Sequence, residues 1–333
     1  IEDQDFWRLS GIFRSVKMWK RPLQHISDYR ISLIPSADFG SAAINVDVQL
    51  ANTARIKSDE MSVRFSLKGN NTDGKAVNQI LSDASKSIKA GDTVSLNMTG
   101  ILEHPMVWSA EKPNLYECLI ELLDAKGNLV ESFTQNTGVR RIEKRGEIMY
   151  INDQPVKLRG VNRHDHHPRT GHYVDPQTTE LDIKLMKQAN INMLRTSHYP
   201  DSPILYELCD RYGLYVMDEA CQESHGFGLR NRQMGNDPQW MKAHVDRAES
   251  LVKRDFNHPS ILFWSLGNEG GAGVNMRAMR DKVDELDSTR LVFCDTDLSV
   301  SDLYDDSYLS PSRLKQVAER VSDRPFIMRE YAH

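Results

Sequence analysis

The chain has 333 residues, of which 39% are hydrophobic and 27% charged, with a formal net charge of −5. This balance predicts a soluble globular protein of two or more domains and leaves no basic footprint for nucleic acid. No apolar run reaches the roughly 20 residues of a membrane span, and the four cysteines, Cys118, Cys209, Cys221 and Cys294, lack CxxC spacing and read as free thiols.

Residues 1–23 mix acids, aromatics and arginines between Glu2 and Trp19, which suits a loop that packs on something else. They are too few to form a domain and are expected to be the tail of a β-domain. From 24 to 140 the period is two. Ile44, Val46, Val48 and Leu50 alternate with polar residues, as do Met61, Val63, Phe65 and Leu67. Tyr116, Cys118, Ile120 and Leu122 then lead into a hairpin turn at Asp124–Asn128. Strict alternation predicts strands with one face buried, and several such strands over this length predict an immunoglobulin-like β-sandwich. No His, Cys or carboxylate cluster marks it, so its expected role is scaffolding.

From 141 onward the pattern changes. A small hairpin at 148–155 precedes short apolar strands expected at 156–161, 191–194, 214–217, 261–264 and 291–293, near Leu303, and at 325–329. Helices are expected at 178–189, with Leu181, Leu185 and Ala189 on the inward face, and at 203–212, 238–256, 273–286 and 311–320. Alternating strands and helices imply parallel βα units. The count is seven strands where a closed (β/α)8 TIM barrel needs eight, so residues 141–333 are expected to form a barrel truncated after strand seven.

The unusual clusters follow these strands. Asn162-Arg163-His164-Asp165-His166-His167 follows the first, Arg195-Thr196-Ser197-His198 the second, and Asp218 through Glu223 to His225 the third. Asn268-Glu269 follows the fourth, and Glu330 through His333 the seventh. A loop carboxylate is more often a solvated surface group than a catalyst. On a barrel, however, all five clusters converge on the face where such folds keep their chemistry. Two strand-end glutamates on one scaffold, Glu269 and Glu330, are what glycoside hydrolysis needs.

The runs Trp108–Tyr116, Arg159–Pro168, Asn192–Pro200, Cys209–Tyr215, Asn257–Glu269 and Glu330–His333 occur in an order that resembles the large β-galactosidases of glycoside hydrolase family 2. The resemblance spans the whole chain and implies a central fragment, with residues 1–23 the tail of a sugar-binding jelly-roll domain. It implies a retaining exo-β-galactosidase of carbohydrate metabolism, with Glu269 as general acid/base and Glu330 as nucleophile. It places Asn268 on the sugar 2-hydroxyl, and His164, His198 and His333 on the galactosyl group. Tyr308 corresponds to a tyrosine bonded to the nucleophile, and Arg195 lies beneath Glu330. Glu223 and His225, with Glu269, correspond to Mg²⁺ ligands, and Asp5 to a Na⁺ ligand whose partners fall outside the chain. Arg329 stands where many relatives have Cys. His166 and His167 are expected to be structural.

The expected partner is a β-galactoside, with neither nucleic acid nor membrane, and a homo-oligomer is expected at full length. The compartment stays open between cytoplasm and periplasm, and residues 1–333 alone are expected to have little activity. Within the family, β-glucuronidase and β-mannosidase are the alternatives. Outside it stand a metal-dependent hydrolase using His164, His166, Glu223 and His225, which leaves Glu330 without a role, and a non-catalytic sugar-binding module.

Overall fold

The structure, a computed structural model, describes residues 7, 9–85, 87–225, 232–321 and 323–331. Asp5 and His333 lie outside the described residues. The chain divides into two compact units, one of residues 15–140 with 257–259, the other of 141–256 and 260–333 with the described residues up to Arg14.

The first unit is built from seven strands among the described residues: β1 (Gln24–Pro35), β2 (Ser41–Asn52), β3 (Met61–Asn70), β4 (Ala76–Ser85), β5 (Thr93–Glu103), β6 (Tyr116–Leu123) and β7 (Leu129–Thr137). They form two antiparallel sheets, ordered β1-β2-β5 and β4-β3-β6-β7. The period of two explains the packing. Ile44, Val46, Val48 and Leu50 of β2 share one core with Val63, Phe65 and Leu67 of β3 and with Ile120 and Leu122 of β6. Each contributes about 1.5–3 kcal/mol through burial. The turn between β6 and β7 is held by Asp124, whose carboxylate accepts the N–H groups of Lys126 (2.9 Å) and Asn128 (2.8 Å).

The second unit opens with a small antiparallel sheet of β8 (Ile142–Arg145), β9 (Ile148–Ile151) and β10 (Gln154–Pro155). Strand and helix then alternate: β11 (Gly160–Arg163), α1 (Pro176–Gln188), β12 (Met193–Thr196), α2 (Pro203–Tyr212) and β13 (Tyr215–Glu219). There follow α3 (Arg232–Asn236), α4 (Met241–Asp255), β14 (Ile261–Ser265), α5 (Val274–Leu286), β15 (Leu291–Phe293), β16 (Tyr304–Asp305), α6 (Pro311–Ala318) and β17 (Phe326–Ile327). Strands β11 to β15 pair in sequence order as one parallel sheet, and β16 and β17 pair as a second. β13 and β14 are buried along their length, so their apolar residues Tyr215–Met217 and Ile261–Trp264 come without alternation, while β13 ends in the buried Asp218 and Glu219. The core joins Leu194, Val216, Ile261 and Trp264 to Leu205, Leu251, Met279 and Val283 from the helices.

Two expectations need correction. The inward face of α1 carries Thr179 and Ile183, whereas Leu181 and Leu185 are 54% and 52% exposed. Two apolar stripes compete on this helix, and the one containing Ile183, with Met186, packs on the core. The first barrel strand begins at Gly160, not Val156. Val156 still donates its N–H to Met149 O of the preceding hairpin (3.0 Å), and residues 156–159 run outside regular structure.

Candidate active site

Because β11 to β14 run parallel, their C-terminal ends lie on one side of the sheet. Arg195 of β12 is central there, with its side chain only 3% exposed. Its Nε and Nη2 donate to the two oxygens of Glu219 (2.7 and 2.9 Å), its Nη1 to Glu330 Oε1 (3.0 Å), and its Nη2 also to Asn268 Oδ1 (2.8 Å). The rigid fork of a guanidinium suits this bridging role. Glu219 is fully buried, and burial alone would raise its pKa. The charge of Arg195 and the hydrogen bond from His198 (2.8 Å) outweigh that and hold it at about 2. Ser265 at the end of β14 donates a further bond to Glu219 (2.7 Å).

Glu330, three residues beyond β17, is buried and accepts the Tyr308 hydroxyl as well as Arg195. Burial pushes its pKa up, but Tyr308, Arg195 and Arg329 together bring it below the ordinary carboxylate range. Glu269, in the loop after β14, moves the other way. Burial raises it most, the charges of His225 and Arg329 offset part of that, and the carboxylates of Asp295 and Glu330 add to it. Its oxygens meet His225 Nδ1 (3.0 Å) and Arg329 Nη2 (3.4 Å), and its N–H donates to Asp295 (2.9 Å). Glu269 and Tyr308 both occupy the left-handed backbone region, at φ 46° and 69°. For non-glycine residues that conformation costs about 1–2 kcal/mol each and is retained where the surroundings enforce it.

His164 and His198 approach edge to face with ring centroids 5.4 Å apart. Burial, then the neighbouring His198 and His166, lower the pKa of His164 to about 4, so it is a neutral imidazole near pH 7. His166 stacks between His164 (5.3 Å) and Trp7 (5.4 Å), which accounts for it structurally. Glu223, His225 and Glu269 each bring one ligand atom within 4.8 Å of the others. Two of these are carboxylates, and Glu223 is fully buried. This set fits a hard divalent cation, although imidazole is a less usual ligand for Mg²⁺. Among the described residues that grouping excludes His164 and His166, so the ligand set of the metal-dependent hydrolase is not assembled.

His164, His198, His225, Asn268, Glu269, Tyr308 and Glu330 all line one cleft of about 1700 Å³. Glu223 lies behind it, accepting from Asn268 Nδ2 (3.3 Å). The sequence reading gave no role to Glu219, Asp295, Asp305 or Arg329. All four sit at or near strand ends, but the partners that tie them into the site lie 21 to 61 residues away, so spacing alone carries no signal for them.

Residues 142–333 match the family model described as glycosyl hydrolases family 2, TIM barrel domain, and residues 24–140 match glycosyl hydrolases family 2. The chain is 39% identical to a beta-galactosidase of Pectobacterium atrosepticum, over its whole length and 33% of that protein. It thus spans about a third of this relative. Among solved structures, a beta-glucuronidase of Bacteroides uniformis superposes with a TM-score of 0.75 at 21% identity, over 92% of this chain and 41% of that one. A glycosyl hydrolase family 2 member from Bacteroides cellulosilyticus gives 0.74 at 22%, over 93% and 43%. At these identities the two structures speak for the shared fold, a sandwich-type domain followed by a TIM barrel. With one family model covering the sandwich and another residues 142–333, the chain belongs to glycosyl hydrolases family 2.

Proposed function

We propose that the whole protein is a retaining exo-β-galactosidase acting by double displacement. The observation that carries this reading is the pair of glutamates lining one cleft with proton affinities displaced in opposite directions. Glu269, raised, suits the general acid, and Glu330, lowered, suits the nucleophile. Glu330 attacks the anomeric carbon while Glu269 protonates the departing oxygen, which leaves a galactosyl ester on Glu330. Glu269, now ionised, takes a proton from water as that water attacks the ester, which restores both groups and retains the configuration. The carbonyl oxygen of Asn268 is occupied by Arg195 (2.8 Å) and Arg329 (3.3 Å). Its NH₂ group is therefore the part that can serve the sugar 2-hydroxyl. His164, His198 and Tyr308 line the same cleft and suit contacts to the other sugar hydroxyls.

The galactosyl preference rests on the 39% identical relative named beta-galactosidase and on the sequence motifs. β-Glucuronide and β-mannoside hydrolysis are the alternatives the same scaffold can carry. Glu223, His225 and Glu269 would hold Mg²⁺, whose charge would favour a defined orientation of Glu269. The proposed Na⁺ site at Asp5 lies outside the described residues.

Incubating the whole protein with a slow 2-fluoro-galactoside should label a peptide containing Glu330, and NMR should show the β-anomer of galactose forming first. Glu330→Gln should abolish labelling and lower turnover by at least ~10³-fold. An α-anomer as first product, or a label elsewhere, sinks the reading. Titration calorimetry should show saturable Mg²⁺ binding that Glu223→Gln weakens, and equal binding by that variant would dismiss the metal set.

A further inference from the structure

The structure places Arg329 between the two glutamates, and two buried carboxylates hold it: Asp305, and Asp295, whose Oδ2 lies 3.2 Å from Arg329 Nη2. Arg329 immediately precedes Glu330, and its side chain is only 6% exposed. It donates through Nη2 to Glu269 Oε1 (3.4 Å) and through Nε to Asn268 Oδ1 (3.3 Å), and its Nε lies 3.7 Å from Glu330 Oε1. One side chain thus touches the acid, the nucleophile and the amide beside the acid. Asp305 holds it twice. Asp305 Oδ2 accepts Arg329 Nη1 (2.6 Å), and Asp305 Oδ1 accepts the backbone N–H of Arg329 (3.1 Å). Asp305 belongs to β16 and pairs in register with Ile327 of β17, so the clamp continues the strand pairing by one step toward Glu330. Ser307 adds a bond to Nη1 (3.1 Å).

The two bonds from one carboxylate fix both the backbone entering Glu330 and the guanidinium beside it. Two carboxylates in one cleft repel each other, and a buried cation between them relieves that repulsion only while it stays in place. A guanidinium without Asp305 would keep its charge and its pairing with Asp295 (3.2 Å) but lose the tie to β16 that fixes Nη1 and the backbone entering Glu330.

We propose that Arg329 and Asp305 act as one positioning device, which sets the placement of Glu330 relative to Glu269 and Asn268. The proposal rests on the double-displacement reading above. It requires coupling: once either partner is lost, loss of the other adds little. It also requires the effect to fall on the chemical steps and not on substrate affinity, because neither residue needs to contact sugar.

The test uses the whole protein and four variants, Arg329→Met, Arg329→Lys, Asp305→Asn and the double variant Asp305→Asn/Arg329→Met. Turnover of an aryl β-galactoside is normalised to folded protein, and the rate of labelling by the 2-fluoro-galactoside is measured in parallel. Arg329→Met should lower kcat by roughly 10²-fold, the size expected for about 1 Å of misplacement, with KM within about threefold of the parent. Asp305→Asn should lower kcat about 10-fold, Arg329→Lys should recover part of the loss, and the double variant should be no worse than Arg329→Met. The double variant removes both charges of the Arg329–Asp305 pair together, which limits misfolding from an unpaired buried charge, and Arg329→Lys keeps a cation for Asp295. Multiplicative effects in the double variant, a loss confined to KM, or an unchanged labelling rate in Arg329→Met would overturn the device. If the parent itself is not labelled at Glu330, the functional reading fails instead, so the two failures are distinguishable.

Discussion

At Glu330 burial and hydrogen bonding oppose each other, and the outcome depends on few groups. Burial favours the neutral acid, while the Tyr308 hydroxyl, Arg195 and Arg329 favour the carboxylate and prevail. Removing the hydroxyl in Tyr308→Phe therefore raises the pKa of Glu330. On the proposed reading Glu330 is the nucleophile and must be ionised, so the acid limb of kcat/KM against pH should move to higher pH. A pH series on the whole protein checks this, and a variant with lower activity but an unmoved acid limb would assign Tyr308 to sugar contact alone. His164 behaves differently. With its pKa lowered to about 4 it stays neutral across the working range, so its own titration should leave no limb near pH 6.5.

At the level of elements, β12 and β13 are tied by Arg195 and Glu219, both buried. Breaking such a pair from one side leaves an uncompensated charge, so Arg195→Met should cost about 3–5 kcal/mol. The acid dependence follows from Glu219, whose pKa falls from 4.5 to about 2 on folding. A depressed folded-state value adds stability that is complete above about pH 4.5 and is lost as pH falls toward 2. Denaturant titrations at neutral and acid pH should show a steeper loss in the parent than in Glu219→Gln. Parallel slopes would mean that Glu219 is not ionised in the folded state. The same elements show what could be read from sequence. Alternation gave the sandwich strands because a period of two directly records a buried face. Strand-end motifs gave Glu269, Glu330 and the Glu223–His225 pair because barrel topology brings successive strand ends together. Glu219, Asp305 and Arg329 stayed unread, since their meaning lies in partners from other strands. The inward face of α1 was misread because Leu181 and Leu185 offered a stripe as apolar as the one that packs.

Across the whole barrel unit the cleft is larger than a sugar needs. Its volume of about 1700 Å³ exceeds the roughly 300–1,000 Å³ usual for a small-molecule site. Besides the glutamates, the apolar side chains of Val156, Leu158, Ile191, Met193, Leu314 and Phe326 line the same space. Among the described residues β11 pairs only with β12, and β17 only with β16. The outer edges of β11 and β17 are therefore unpaired among the described residues, and such edges are sites of fraying and of association with other chains. Glu330 lies three residues beyond β17, so the proposed nucleophile depends on the less supported side. A catalytic carboxylate must be held to about 0.5 Å, a tolerance that an open edge does not provide. We therefore expect residues 1–333, expressed alone, to turn over an aryl β-galactoside at least ~10²-fold more slowly than the whole protein at equal molar concentration. The isolated chain should also bind a fluorescent apolar dye that the whole protein excludes. Hydrogen exchange should be slow in β2, β3 and β6 and fast around β17. Comparable turnover by the two chains would mean that β16 and the clamp of Asp305 on Arg329 hold Glu330 in place without a strand on the other edge of β17.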